Sequence, residues 1–267
     1  MVDSDLKGKW ALILGASSGF GGTTARRLSR EGMNIFGVHL DRKATLPNAE
    51  KIQEEIRANG AEALFFNVNA AGHKERARVI SQMSEHLADD DGAVRLLLHS
   101  LAFGTLKPFI TEDAKDALSP RQMHMTLDVM AHSLVYWTQD TVRAGLMGGG
   151  GRIFAMTSSG GHSVWPSYGA VSAAKAALES HIRQLSVELA TKGITANSVQ
   201  AGVTDTPALR KIPGNEEMIE KAKQTNPHYK LTTPEMVADA IAAFAVTGTQ
   251  WMTGNVIRVD GGEDIAG

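Results

Sequence analysis

Tyr168 stands seven residues before Lys175 in the stretch TSSGGHSVWPSYGAVSAAKAALESHIRQLSVELA, Thr157 to Ala190. Gly160, Gly161 and Pro166 make an irregular approach, and an Ala-rich, Pro-free run of good helix formers follows. At about 100° per residue, seven residues bring both side chains to nearly one helix face, about 10 Å apart along the axis. A phenol beside an ammonium is expected to favour its phenolate and to titrate below its ordinary value. Such a phenol can hydrogen-bond a substrate oxygen that gains negative charge during reaction. On these residues alone a plainer reading is also open, a Tyr packing a helix start and a Lys on a solvated face.

The elements that must hold this pair follow from the rest of the chain. Its 267 residues, 43% hydrophobic and 21% charged, suit one large α/β domain with a sizeable core. A net charge of −2 is too little positive charge to track a phosphate backbone, so nucleic acid is not an expected partner. The absence of cysteine excludes disulfides, thiol catalysis and Cys-ligated metal. No apolar run of about 18 residues and no signal-peptide pattern is present, so a cytoplasmic protein without a membrane segment is expected.

Short apolar runs alternate with helical patterns. Lys9–Leu14, Asn34–Leu40, Ala63–Val68, Val94–Leu98, Arg152–Met156, Ile194–Val199 and Asn255–Val259 read as strands. Between them Ala49–Asn59, Gly72–Ala88, a run from Ser119-Pro120 to about Leu146, and Thr233 to Val246 read as helices. This alternation predicts a Rossmann-like, doubly wound parallel sheet of about seven strands with helices on both faces, a single domain over 1–267. The least regular stretch, 204–231, carries Pro207, Pro213, Gly214 and Pro227. Its place after the sixth strand makes it a candidate substrate-covering loop and helix.

The first strand runs into Gly15-Ala16-Ser17-Ser18-Gly19-Phe20-Gly21 and then a helical pattern. Strand, glycine turn, helix is the layout of a dinucleotide-binding unit, in which the glycines let the backbone approach a pyrophosphate. Asp41, Arg42 and Lys43 lie just past the second strand. A carboxylate there suits the ribose hydroxyls of NAD and a cation the 2′-phosphate of NADP, so both cofactors stay open on position alone.

Four segments in one order, GASSGFG, the strand-four His99-Ser100-Leu101-Ala102-Phe103, Ser158 to Lys175, and Asn197 to Thr206, resemble the short-chain dehydrogenase/reductase family over essentially the whole chain. That family commonly carries Tyr-x3-Lys, whereas Val171 stands four residues before Lys175, leaving Tyr-x6-Lys. This spacing, the strand-four segment, Asp128 at the family's relay asparagine and Ala201-Gly202 after strand six resemble the family's enoyl-acyl carrier protein reductases. The glycine loop and the tail from Asp205 to Pro213 are similar to their type III subgroup, and strand four to type I.

The resemblance implies reduction of a trans-2-enoyl thioester of acyl carrier protein or coenzyme A in fatty acid synthesis. Tyr168 would steady the enolate, Lys175 would hold the nicotinamide ribose, and Ser158 would orient the carbonyl or the cofactor. Gly15, Ser17, Ser18, Gly19, Phe20 and Gly21 would line pyrophosphate and ribose, with Asn67 and Val68 at the adenine and Ser100 beside the cofactor. Thr206 would bond the carboxamide with Thr204 next to the ring, and Arg42 would take a 2′-phosphate. NADPH is favoured and NADH possible, because Asp41 is present and Ser18 stands where NADP-using relatives often carry Arg. Phe103, Trp165 and Tyr168 are the candidate substrate contacts, a symmetric homotetramer is implied, and no metal is expected. His99, after an apolar strand, is expected to be a satisfied core histidine rather than a catalytic group, and Asp89 to Asp91 a solvated acidic turn. Two other functions remain open, a short-chain carbonyl or hydroxysteroid dehydrogenase and a non-catalytic nucleotide-binding regulator. The intact Tyr–Lys pair argues against the last.

Overall fold

The computed structural model describes residues 5–88 and 93–266. The acidic turn at 89–91 lies outside them. Seven parallel strands form one sheet in the order β3-β2-β1-β4-β5-β6-β7. They are β1 (Trp10–Leu14), β2 (Asn34–His39), β3 (Ala63–Asn67), β4 (Val94–His99), β5 (Arg152–Ser158), β6 (Thr195–Ala201) and β7 (Val256–Val259). Helices α1 (Gly19–Arg30), α2 (Leu46–Ala58), α3 (His73–His86), α4 (Pro120–Leu127), α5 (Ser133–Arg143), α6 (Gly169–Glu188), α7 (Asn215–Thr225), α8 (Pro234–Phe244) and α9 (Glu263–Ala266) connect or follow them.

The central strands are apolar without alternation because both faces are covered, as a parallel sheet requires. Leu12, Leu14, Leu97, Ile153, Leu134, Ala174 and Leu178 build the core on one face. Ala11, Ile13, Leu28, Leu96, Phe154, Val199 and Ile241 build it on the other. The strand order reverses between β1 and β4, and the crevice for a ligand in such sheets lies outside the carboxyl ends of the strands at this switch.

Two differences from the expected elements bear on function. The run expected to be one helix from Ser119 to Leu146 is α4, a π turn at Asp128–His132, and α5, and it ends at Arg143 before Gly145 at φ +74. Strand β5 runs two residues further than expected because its ladder with β6 continues through Thr157↔Gln200 and Ser158↔Ala201. That extension places Ser158 at the mouth of the crevice.

The glycine loop is packed too closely for side chains. A methyl group on Gly15, at φ +94, would lie 2.3 Å from the Ser100 carbonyl oxygen, and one on Gly21 would lie 2.2 Å from the Gly15 oxygen. Gly21→Ala is therefore expected to lower unfolding free energy by about 1–3 kcal/mol, the range for overpacking a tight site. Urea denaturation checks this, and a wild-type midpoint would show that the loop is looser than it stands here.

Candidate active site

The side chains singled out in the sequence gather at the carboxyl ends of the strands. Gly15 follows β1, Asp41 and Arg42 follow β2, and Asn67 closes β3 with Val68 after it. Ser100 follows β4, Ser158 closes β5, and Thr204 and Thr206 follow β6. The glycine turn is pinned between the middle strands, since Gly15 N–H donates to the Val38 carbonyl at 2.8 Å and Ser100 N–H to the Leu14 carbonyl at 2.8 Å. Ser18 precedes α1 in extended conformation with no side-chain cap, and the first turn of α1 holds no acidic residue. Its free N–H groups and helix dipole suit an anionic pyrophosphate. The side-chain-free cradle of Gly15 and Gly21 fits the close backbone approach that a dinucleotide needs.

Asp41 is tightly held. Burial pushes its carboxyl up, but hydrogen bonds with the side chains of Ser17, Thr45 and His39 outweigh this and hold it below the usual carboxylate range. His39 Nδ1 lies 2.8 Å from Asp41 Oδ2. The Asn67 side chain exchanges two hydrogen bonds with the Asp41 backbone, both 2.9 Å, so it anchors the Asp41 turn. Arg42 is exposed beside that turn. Asn48 Nδ2 donates to the Ser17 carbonyl and fastens the glycine loop to α2. Neither His39 nor Asn48 was singled out from the sequence, although a polar side chain in the first turn of α2 was the available signal.

Tyr168 is the residue that caps α6, and Lys175 lies two turns into it. The Lys175 ammonium is buried and donates to the Met156 carbonyl of β5 at 2.7 Å. Burial lowers this amine to about 8, against an upward pull from Glu179. Glu179, one turn on, accepts from Thr157 Oγ1 at 2.6 Å. Both ties clamp α6 to the end of β5.

The phenol differs from expectation. Burial pushes the Tyr168 phenol up, with only the Ser158 hydroxyl pulling the other way. The anticipated lowering by the lysine is corrected: the ammonium is bonded to a backbone carbonyl, and desolvation dominates at the phenol. Tyr168 therefore stays a protonated donor at neutral pH. Ser158 Oγ is buried beside the Tyr168 phenol, with no other hydrogen-bond partner among the described residues. A methyl group on Gly160 would lie 2.5 Å from the Tyr168 ring and 3.2 Å from Ser158 Oγ, so the serine and the phenol flank this glycine. An oxygen presented by a substrate would give this buried hydroxyl a further partner. Two neutral donors converging on one point can stabilise a developing oxyanion.

Other candidates take more structural places. His99 is fully buried, and burial, then the nearby Lys175 charge, push it down to about 3, so its ring is neutral. Ser133 Oγ donates to the Val129 carbonyl at 2.8 Å and so accepts from His99 Nε2 at 2.9 Å. Asp128 faces Tyr136, whose phenol burial, then the Asp128 charge, push up. Trp165 Nε1 donates to the Pro213 carbonyl at 3.0 Å, tying the approach to Tyr168 onto the 204–231 segment. Phe103 is 60% exposed on the β4–α4 loop, and the neighbouring Phe109 covers Gly169. Thr204 and Thr206 are buried, with Thr204 Oγ1 donating to the Gly202 carbonyl and Thr206 Oγ1 accepting from Leu209 N–H. Among the described residues no helix is long and apolar enough to cross a membrane.

The lysine sets a pH signature. Its folded value of about 8 lies below the ordinary 10.5, so between these pH values the unfolded chain holds a proton that the folded chain has released. Unfolding free energy of the wild type should then rise with pH across that window relative to Lys175→Met, by up to about 1.4 kcal/mol per pH unit. Urea unfolding of both proteins at pH 7.5 and 10 measures it, and a constant difference would mean the ammonium is well solvated.

A family model described as "Enoyl-(Acyl carrier protein) reductase" matches residues 15–263. The chain is 29% identical to an NADPH-dependent aldehyde reductase-like protein, chloroplastic, of Arabidopsis thaliana, covering 96% of this chain and 94% of that protein. It is 28% identical to the 1-cyclohexenylcarbonyl-CoA reductase of Streptomyces collinus, covering 96% and 86%. The crystal structure of the enoyl-[acyl-carrier-protein] reductase (NADH) from Aquifex aeolicus superposes with a TM-score of 0.83 at 25% identity, covering 98% of this chain and 99% of that one. With this fold, this glycine cradle and this Ser–Tyr–Lys grouping, the chain belongs to the short-chain dehydrogenase/reductase family, an oxidoreductase with features of its enoyl-acyl carrier protein reductases.

Proposed function

We propose that this protein reduces the C2–C3 double bond of a 2-enoyl thioester carried on acyl carrier protein or coenzyme A, with NADPH as reductant. One observation carries the reading, a buried, protonated phenol beside a buried serine hydroxyl that has no other partner among the described residues. When bound, NADPH would supply hydride to C3 of the enoyl group. As that bond forms, the π electrons move toward the thioester oxygen, where Tyr168 donates its O–H and Ser158 donates its own. A proton from solvent then completes C2. Lys175, fixed by the Met156 carbonyl, holds α6 and with it the phenol at its station, and its remaining N–H groups would serve the nicotinamide ribose. Gly15 to Gly21 would hold the pyrophosphate, Asn67 and Val68 would flank the adenine, Thr204 and Thr206 would line the nicotinamide side, and Arg42 would take the 2′-phosphate.

An enolate needs a donor that stays in place, whereas an alkoxide from a ketone removes the donor's proton and the enzyme must replace it each turnover. Here Asp128, at the family's relay position, is engaged with Tyr136, and Lys175 with the Met156 carbonyl. Position 171 holds a buried valine, so a phenol at the spacing common in the family is absent. The Streptomyces collinus relative, a reductase of an unsaturated acyl-CoA by its name, supports the same reading. The Arabidopsis thaliana relative favours the second one, reduction of a ketone or aldehyde by the same donors.

Tyr168→Phe removes one oxyanion donor and is expected to lower turnover of crotonyl-CoA by about 3 kcal/mol in barrier, roughly 100-fold, with NADPH affinity unchanged. Stopped-flow oxidation of NADPH measures it. Wild-type turnover in the variant would remove Tyr168 from the mechanism.

A further inference from the structure

The last described turn of the chain grips the two loops that carry the site. Asp264 Oδ1 lies 2.9 Å from His162 Nε2, on the loop between Ser158 and Tyr168. Its other oxygen, Oδ2, accepts from Arg258 Nε of β7 at 3.0 Å. The neighbouring Glu263 reaches the other loop, and its Oε1 accepts from Val203 N–H at 2.9 Å, one residue before Thr204. A methyl group on Gly202 would lie 2.9 Å from Glu263 Oε2, so the carboxyl is seated directly against that turn. Asp260 holds the turn itself together, accepting from the Gly262 and Asp264 N–H groups at 2.9 and 3.1 Å. Its carbonyl accepts from Asn226 Nδ2 at the end of α7, 2.8 Å away. The adjacent residues 263 and 264 therefore bridge the end of β7 to the loops after β5 and β6, on either side of the nicotinamide position.

We propose that Asp264, through His162, is a positioning residue of the reaction: with Glu263 it fastens the loop presenting Ser158 and Tyr168 to the loop presenting Thr204 and Thr206. Neither carboxylate touches the reacting atoms. Their effect is on the spacing between the oxyanion donors and the ring that delivers hydride. A misplacement of about 1 Å at such a point can cost on the order of 100-fold in rate. The charges surrounding the pair suit a fixed strut. Arg258 shares the carboxylate, the Asp260 and Glu263 carboxyls lie behind it, and Glu179 borders Gly161 on the α6 side of His162. Burial pushes the Glu263 carboxyl up, with the Asp260 and Asp264 charges adding to the rise, while the Val203 N–H and the Asn226 side chain oppose it. Burial pushes the Asp264 carboxyl up, but hydrogen bonds with the Gln200 and His162 side chains outweigh this and hold it below the ordinary carboxylate range, so Glu263 is embedded in the turn while Asp264 makes the outward contact.

The catalytic consequence rests on the enoyl-reductase reading, whereas the loop fastening does not. The test is a double-mutant cycle in the full chain with Asp264→Ala, His162→Ala and the pair, reading crotonyl-CoA kinetics, NADPH affinity and hydrogen exchange of the amides at 159–168 and 202–208. Each single variant is expected to lose roughly tenfold in kcat with KM and NADPH affinity within about twofold. The double variant should lose no more than the worse single, because coupled partners are not additive. Exchange should quicken in both loops, and Asp264→Glu should recover most of the rate. Losses that multiply in the double variant, or loop exchange unchanged in Asp264→Ala, would overturn the proposal. Faster loop exchange in a protein whose wild type does not reduce crotonyl-CoA would uphold the fastening and sink the enoyl reading. If Asp264→Ala does not fold, His162→Gln supplies the same two readouts.

Discussion

One buried bond sets the geometry of the site, the Lys175 ammonium donating to the Met156 carbonyl. A charge withdrawn from water must be hydrogen-bonded, and a variant without its partner would leave it exposed to the full desolvation cost. The bond therefore fixes the angle of α6 against the end of β5. Two consequences follow from chain connectivity. Ser158 stands two residues beyond the accepting carbonyl, and Tyr168 stands seven residues before the donating amine. Glu179 repeats the tie one turn later through Thr157. The serine and the phenol meet across Gly160 because both ends of the loop between them are clamped.

The rest of the molecule serves the same crevice. The sheet order puts the glycine turn between β2 and β4, and the absence of side chains at Gly15 and Gly21 lets that turn lie flat against Ser100. The π turn between α4 and α5 brings Ser133 to His99, which stays neutral near the lysine charge. The turn at Glu263–Ala266 reaches the loops after β5 and β6 from behind, so residues far from the chemistry still border the site.

Much of this was legible in the sequence because it is written in short-range patterns. Apolar runs bounded by glycine gave the strands, and Ser119-Pro120 and Thr233-Pro234 marked helix starts that the structure places at Pro120 and Pro234. The start of α2 at Leu46 was placed late, although Pro47 in its first turn was available as a signal. Tyr168, Lys175 and Ser158 could be read together because their spacing is local to one strand–loop–helix unit, and the structure brings them to one place at the end of β5. What sequence spacing could not yield is desolvation. A lysine seven residues from a tyrosine suggests a lowered phenol, but burial and the Met156 carbonyl reverse the outcome. His162 and Asp264 escaped notice for a different reason, being 102 residues apart and joined only by the return of β7 to the sheet edge.

A neutral phenol paired with a buried serine hydroxyl suits an oxygen that gains charge without taking the donor's proton. That distinction between enolate and alkoxide is the centre of the functional reading. The most direct measurement is NADPH oxidation by the wild-type protein with crotonyl and acetoacetyl thioesters at equal concentration. The account expects kcat/KM for the crotonyl thioester to exceed that for the acetoacetyl thioester by more than about tenfold. Faster oxidation with the acetoacetyl thioester would contradict it and assign the same residues to carbonyl reduction.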